Sequence, residues 1–493
     1  MQEKRKIVLL FYPRTTNTSW YTVPLSLLAI GSQLDKKKYK IIIIDANIEP
    51  KYNKKILKLL QERKQNILAV GISSMTGCQI EGTLEISKLV KKNAPRIPVI
   101  LGGWHGSILP EQTLKNKYID FVVRAQGETT FKELLIALGQ KKDFTKIDGL
   151  SYKKGSRIYH NKRRSFTDVN TFLPMDYSLV DVEKYIMKTD FGERAINYTS
   201  SYGCPYNCGF CAEPIVNKGK WSGLSAKRIL DEIENLVKSY KLDSIFFDDN
   251  NFFVDNKRVI DFCTGLIKRK LNINWGPVNG RVDCLLRLTD EEWALLKKSS
   301  LKTIIIGAES GSDKVLELIN KRISVDDTIQ VLKKAKKYEI SIESLLMVGL
   351  PKEPEEDLNK TLEFIQKAYT ISPNNKVSVF FYTPYPGTHL FSMALMYGLK
   401  APKKLEDWSR YNLRQGVTPW LSKSYRKKLR VILGYYLFLT FLSKNSRFII
   451  KKGGMKGAIL KLLNKLALYR WKRKNFSFPL EYYLFTLLRR FLT

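Results

Sequence analysis

Cys204, Cys208 and Cys211 stand within eight residues, in the run Gly203-Cys204-Pro205-Tyr206-Asn207-Cys208-Gly209-Phe210-Cys211. Thiolates suit iron–sulfur centres and zinc. Most iron–sulfur clusters take four cysteines, so a set of three leaves one metal vertex free, and a free vertex is where chemistry can occur. A structural zinc site would need a fourth Cys or His at matching spacing, and the chain has no second Cys-x2-Cys or His-x3-His pair. Six cysteines in 493 residues, with no secretory leader, point to a reducing compartment rather than to a disulfide framework. Cys78, Cys263 and Cys284 read as ordinary buried thiols.

Such a site needs a frame, and the chain beyond the cysteines reads as repeated strand-then-helix units. Apolar strand-like runs span Ile196–Ser200, Ser244–Phe247, Ile273–Val278, Thr303–Ile306, Ser344–Val348 and Val377–Tyr382. Amphipathic helical stretches lie between them, over Ser225–Tyr240, Lys257–Lys270, Asp290–Ser299, Val325–Tyr338 and Glu355–Ala368. This is the pattern of a parallel α/β barrel or part of one, whose ligands bind at the carboxyl ends of the strands. The first 150 residues hold a second set of short apolar strands, Ile7–Phe11, Ile41–Asp45, Leu68–Ser73, Val99–Gly102 and Phe121–Val123, expected to form an open doubly wound sheet. Their carboxyl ends carry Ser73-Ser74-Met75-Thr76, Gly102-Gly103-Trp104-His105-Gly106 and Gly127-Glu128-Thr129-Thr130. Glycine lets a backbone approach a ligand closely, and hydroxyls and amides bind a polar tail.

The Cys-x3-Cys-x2-Cys spacing, with Phe210 before the third cysteine, resembles the radical SAM superfamily, and the resemblance runs over roughly residues 195–390. It implies a six-unit partial barrel, with Cys204, Cys208 and Cys211 holding a [4Fe–4S] cluster whose free iron binds S-adenosylmethionine (SAM). It implies further that Phe210 packs near the adenine. Asp248, Asp249 and Asn250 come after the second strand, where many members carry Gly-Gly-Glu against the SAM amino group. Arg281 then faces the SAM carboxylate or the substrate, Glu309 in Gly307-Ala308-Glu309-Ser310-Gly311 contacts SAM, and Gly349-Leu350-Pro351 with Glu353 forms the turn beside the adenine. The first 150 residues resemble the cobalamin-binding domain that precedes this core in many members. That implies contacts from Ser73, Thr76, Gly102, Gly103, His105, Gly127 and Glu128. Pro13 to Pro24 contains no histidine, so cobalamin is expected without a lower His ligand; a sheet holding no cofactor is the alternative.

The expected organisation is therefore α/β throughout: a Rossmann-like cobalamin-type domain over 1–150, a linker over 151–194, the radical SAM core over 195–390 and a basic, mostly helical region over 391–493. Ser151–Ile158 and then Arg163–Phe166 read as a hairpin closing the first domain, and Phe172 to Tyr177 as the linker proper. The net charge of +37 calls for an anionic partner. From Leu421 to Thr493 there are 18 Lys or Arg against one acid, Glu481. The apolar run Val431–Leu442 is twelve residues, short of the roughly 20 that cross a bilayer. Ile459–Trp471 and Tyr482–Phe491 read as surface helices suited to peripheral contact with an anionic membrane, or as a basic helical unit packed on the barrel. Nucleic acid has no recognisable binding module to support it. The region before the barrel holds only Cys78, unlike that of the related tRNA methylthiotransferases, which carries a second cysteine cluster.

The resemblance implies a cytoplasmic enzyme that cleaves SAM and, with cobalamin, methylates an unactivated carbon of a small-molecule or lipid-linked substrate. Its electron would come from a donor such as flavodoxin or ferredoxin. An oxidative cyclase or rearrangement without methyl transfer is one alternative. A non-catalytic, membrane-associated iron–sulfur or cobalamin-binding regulator is the other. No catalytic acid or base is identifiable from the sequence.

Overall fold

The computed structural model describes residues 5–15, 21–411, 418–442, 444–483 and 485–486. The first sheet comprises β1 (Lys6–Tyr12), β2 (Tyr39–Asp45), β3 (Ile67–Ser73), β4 (Val99–Gly102), β5 (Phe121–Val123), β6 (Leu150–Lys154) and β7 (Arg157–His160). Its order is β2-β1-β3-β4-β5-β6-β7, parallel through β5 and antiparallel thereafter. Strands buried on both faces read as unbroken apolar runs, as Val8 to Phe11 do. The strand order reverses between β1 and β3, and a crevice opens at such a switch point. The closing hairpin is β6–β7, turning at Gly155 at φ +62°. Arg163–Phe166 forms no strand; the sheet ends at β7, and Arg164 instead ties this segment to the Thr130 hydroxyl by its side chain.

The second sheet comprises β8 (Met187–Thr189), β9 (Gly192–Tyr198), β12 (Ser244–Phe247), β13 (Asn274–Gly280), β14 (Thr303–Glu309), β15 (Ser341–Val348) and β16 (Lys376–Phe381); between β9 and β12 a small hairpin pairs β10 (Ser201–Gly203) with β11 (Trp221–Gly223). The order is β16-β15-β14-β13-β12-β9-β8, with six parallel strands and β8 antiparallel at one edge. The ends do not meet, so the sheet is a curled half-barrel. Along β14, Ile304, Ile306 and Ala308 are buried under the helical layer while Ile305, Gly307 and Glu309 stay half-exposed on the concave face. Caps define the outer helices. Ser225 caps Ala226–Tyr240, and Thr289 with Glu292 and Ser324 with Asp327 form capping boxes on Asp290–Lys298 and Val325–Lys337.

The apolar run Val431–Leu442 becomes short helical turns, and Ile432, Tyr435, Tyr436 and Leu439 join the core of the half-barrel. The stretch Ile459–Trp471 lies within one helix, Gly454–Arg473, which buries Leu460, Leu463, Ala467 and Trp471 in that core. The expected helix Tyr482–Phe491 lies in part outside the described residues.

Candidate active site

The cysteine loop leaves β10 and is clamped at its middle. Gly209 N–H donates to the Ile319 carbonyl (2.8 Å), Leu390 N–H donates to the Gly209 carbonyl (2.9 Å), and Asn320 Nδ2 donates to the Asn207 carbonyl (2.6 Å). Cys211 N–H closes a turn on the Cys208 carbonyl at 3.1 Å. The three thiols are free and half-buried. Burial pushes the Cys211 thiol up to about 12 and raises that of Cys204, and the charge of Cys208 adds to both. A thiol raised by burial gives up its proton when a metal binds the sulfur. Among the described residues no three ligating side chains converge on a single-ion site.

Arg281 supplies the compensating charge. Its Nη1 donates to Cys208 Sγ at 3.1 Å, its guanidinium lies 3.8 Å from the Tyr206 ring centroid, and its other arms hold the Lys321 carbonyl (2.7 Å) and Asp283 (2.9 Å). Three thiolates with an adjacent fixed cation form a donor set that fits an anionic [4Fe–4S] cluster. Cys284 proves to be part of this support, with its sulfur 3.0 Å from the Tyr206 hydroxyl. Of the other two thiols Cys263 is buried, whereas Cys78 is only half-buried.

Glu309, at φ +60°, pairs with Lys321 at 2.7 Å, and the ammonium stands 5.8 Å from the ring of Phe210. Sequence reasoning missed Lys321, which lies on a loop and carries no motif. The Gly349 turn, at φ +81°, is held by Glu353, whose carboxylate accepts from Gly349 N–H (2.5 Å) and Leu350 N–H (3.1 Å) and is raised to about 7 by burial. Trp420 Nε1 donates to the Gly349 carbonyl at 3.0 Å, and Pro351 is buried beside it.

Asp248 and Asp249 part company. Asp249 is fully buried and accepts from Ser200 N–H (2.6 Å), Ser200 Oγ (2.6 Å), Ser201 Oγ (2.7 Å) and Thr199 Oγ1 (3.2 Å), with Arg258 at 3.9 Å. Its expected contact with SAM is corrected: every lone pair is spent on fastening β9 and β10 to β12. Asp248 lines a cavity instead, and the enclosing protein pushes its carboxyl up to about 6, although Asn197 Nδ2 donates to it at 2.8 Å. Asn197 also joins the two sheets, through both the N–H (2.8 Å) and the carbonyl (3.1 Å) of Val23.

That cavity, about 370 Å³, opens between the sheets. One wall is the carboxyl end of the first sheet, with Tyr12, Ser73, Gly102, Gly103, Gly127 and Glu128; the other carries Tyr202, Gly203, Glu213, Asn217, Asp248 and Asn250. Glu213, two residues beyond Cys211, is raised to about 7 by burial and is hydrogen-bonded to Asn217 and Asn250. A Cβ on Gly102 would meet nothing closer than 3.9 Å, whereas one on Gly103, at φ +88°, would meet the Ser74 carbonyl at 2.5 Å. Glu128 is buried and raised by that burial; the Tyr202 hydroxyl reaches it across the interface, yet its Oε2 has no partner. An unpartnered carboxylate oxygen, a bare glycine edge and flanking hydroxyls fit a ligand with amide and hydroxyl donors, as cobalamin is. Thr76 and His105 do not line the cavity. His105 is wholly buried, with Nδ1 2.9 Å from Thr76 Oγ1 and its ring against Trp408, and burial lowers it to about 4. The two pair with each other instead, Thr76 on the loop after β3 and His105 on the helix Trp104–Ile108, with the His105 ring packed on Trp408 rather than presented to the cavity.

The comparisons with known proteins agree with this geometry. Residues 198–365 match the family model of the radical SAM superfamily, and residues 15–135 that of the B12 binding domain. An uncharacterised methyltransferase of Pyrococcus horikoshii is 29% identical over 87% of this chain and 92% of its own length. The anaerobic magnesium-protoporphyrin IX monomethyl ester cyclase of Rubrivivax gelatinosus is 28% identical over 81% and 69%. In fold, the cobalamin-dependent SAM radical enzyme OxsB superposes with a TM-score of 0.74 at 18% identity, covering 99% of this chain and 75% of that one. The radical SAM methyltransferase TsrM of Kitasatospora setae superposes at 0.69 and 13%, covering 95% and 97%. With both family models on the two sheets that share the cavity, the chain belongs to the radical SAM superfamily and carries a B12-binding domain ahead of its radical SAM domain.

Proposed function

We propose that this protein is a cobalamin-dependent radical SAM methyltransferase acting on an unactivated carbon. The observation that supports the reading best is the single cavity walled on one side by the cobalamin-type sheet and on the other by residues flanking the cysteine loop. When bound, the cluster with SAM supplies a 5′-deoxyadenosyl radical able to take a hydrogen atom, and cobalamin supplies the methyl group. The chain's own work is placement. Cys204, Cys208 and Cys211 hold the cluster, and Arg281 offsets its charge. Phe210, Glu309, Gly349 and Pro351 shape the SAM side, with Lys321 holding Glu309 in place. Ser73, Gly102, Gly103, Gly127 and Glu128 receive cobalamin. Asp248 and Glu213 face the space between and present acceptors to a substrate or to SAM. Asn197 ties the two walls of the cavity together through Val23, which fixes their separation.

In this reading the chain divides into a cobalamin-binding domain over 1–150, a linker over 151–194, the radical SAM core over 195–390 and a basic, mostly helical region over 391–493. In this reading the enzyme works in the cytoplasm, takes its electron from a carrier such as flavodoxin or ferredoxin, acts on a small-molecule or lipid-linked substrate and touches an anionic membrane peripherally. A cyclase without methyl transfer is the second reading, favoured by the likeness to the magnesium-protoporphyrin ester cyclase.

The test is anaerobic reconstitution with iron, sulfide and hydroxocobalamin, then incubation with methyl-deuterated SAM, a low-potential reductant and a lipid-containing cell extract. Methyl transfer yields 5′-deoxyadenosine, S-adenosylhomocysteine and a deuterated product. A cyclase yields 5′-deoxyadenosine alone. A protein that binds the cofactors and cleaves no SAM would be a regulator.

A further inference from the structure

We propose that the face of the helix Gly454–Arg473 turned away from the half-barrel is the surface that lies on an anionic lipid bilayer. The inference rests on the peripheral membrane contact of the proposed function and not on its methyl-transfer chemistry.

At about 100° per residue the helix carries two apolar stripes. Leu460, Leu463, Ala467 and Trp471 form the first, and the core covers it. Met455, Leu462, Leu466 and Tyr469 form the second, at 69%, 59%, 41% and 55% exposed, and Ile459 lies between the stripes, partly packed on the core. A helix that only packs on a core needs one stripe. Lys461, Lys465 and Lys472, all exposed, run along one flank of the bare stripe, and the Arg473 guanidinium sits 4.4 Å over the Tyr469 ring. Arg470 extends the surface by donating to the carbonyls of Asn475, Ser477 and Phe478. It thereby tethers a turn on which Phe478 and Leu480 are 87% and 76% exposed.

The charge chooses the occupant. A second copy could zip stripe to stripe, since alternating steps of four and three are coiled-coil spacing. That pairing would bring lysine rows together with no acid between residues 444 and 473, and Glu481 is already held by Arg470 and Tyr436. A nucleic acid would meet the lysines but leave the apolar stripe in water. An anionic bilayer satisfies both: the aliphatic side chains enter the acyl boundary, the lysines reach the phosphates and Tyr469 takes the interfacial level. No helix among the described residues is long and apolar enough to cross a membrane, so the helix lies in the surface plane.

The test is flotation of the reconstituted full chain with phosphatidylcholine vesicles and with phosphatidylcholine–phosphatidylglycerol vesicles. Binding only to the anionic vesicles is expected. Each of Lys461→Gln, Lys465→Gln and Lys472→Gln should weaken it about fivefold, the equivalent of ~1 kcal/mol per basic residue. Leu462→Ser with Leu466→Ser should abolish it while the far-ultraviolet circular dichroism stays that of the wild type, since the stripe that packs on the core is untouched. Absence of wild-type binding, or binding indifferent to both sets, would overturn the proposal. A concentration-dependent dimer lost in Leu462→Ser, or an RNA shift lost in the lysine variants, without vesicle binding would overturn it in favour of that partner. SAM turnover in the same preparations reports the chemistry separately: vesicle binding with no methyl transfer sinks the methyltransferase reading alone.

Discussion

Asp248 and Asp249 are adjacent in sequence and chemically alike, yet the structure assigns them opposite tasks, so Asp249→Asn and Asp248→Asn should fail in different ways. Asp249 accepts four hydrogen bonds between 2.6 and 3.2 Å and is the counter-charge of Arg258, whose side chain is 5% exposed. An amide keeps the volume but offers one oxygen to those donors. Bonds to a charged group contribute ~1.5–3 kcal/mol and do not add. Stranding a buried guanidinium costs ~3–5 kcal/mol. A loss of about 3–5 kcal/mol is therefore expected, which lowers the first unfolding transition by roughly 10 °C for a domain of barrel size. Asp248→Asn retains an acceptor for Asn197 and should melt with or above the wild type. Its gain has a defined pH dependence. The folded carboxyl is raised from 3.8 to about 6 by the protein around it, but the residue stands exposed in the cavity, where water offsets much of the cost, so the wild type carries a small penalty where the group must be charged, and that penalty disappears as pH falls from 6 towards 4. Asp248→Asn should therefore be more stable at pH 8, with the advantage shrinking below pH 6. Its SAM cleavage should fall roughly tenfold or more if the acid engages SAM or substrate, with both cofactors still loaded. The assay is anaerobic thermal melting of the reconstituted variants from pH 5 to 8, beside 5′-deoxyadenosine yield. Equal melting of Asp249→Asn and wild type would refute the assignment.

Gly102→Phe, which places a ring where a Cβ has free space, should abolish the cobalamin absorption of desalted protein while the cluster absorption persists. Arg281→Met removes a cation 3.1 Å from Cys208 Sγ and should shift the cluster potential on the order of 50–100 mV more negative, as read by redox titration monitored by EPR. Lys321→Met leaves Glu309 without its partner in a site where Lys321 is 6% exposed; denaturation should show a loss of about 3 kcal/mol, largely recovered in Lys321→Arg. Alanine at Cys204, Cys208 or Cys211 should abolish the cluster, whereas Cys263→Ala should retain it with a modest stability loss, the first read from the iron content and the second from the melting temperature.

Local pattern sufficed for the frame, because strand and helix periodicity and caps are written within a dozen residues of each other. Ser244–Phe247 is a strand with the expected bounds, and the helix expected from Asp290 begins there, behind its Thr289 cap. The cysteine spacing is likewise local: one loop must carry three ligands, and its composition says so. What chain proximity cannot express is which way a side chain turns once sheets stack. Thr76 and His105 come just after strands that build the cavity, yet pair with each other instead of lining it. Asp249 lies one residue beyond Asp248 and is spent entirely on backbone and hydroxyl donors of another strand. Lys321, Asn197 and Tyr202 meet their partners 12, 174 and 74 positions away, and nothing near them in sequence signals it. The C-terminal helix shows the division most plainly. Its apolar and basic residues were visible as a mixture, but only packing decided which stripe the core would cover and which would remain bare, because burial depends on the surface a helix meets and not on the helix alone.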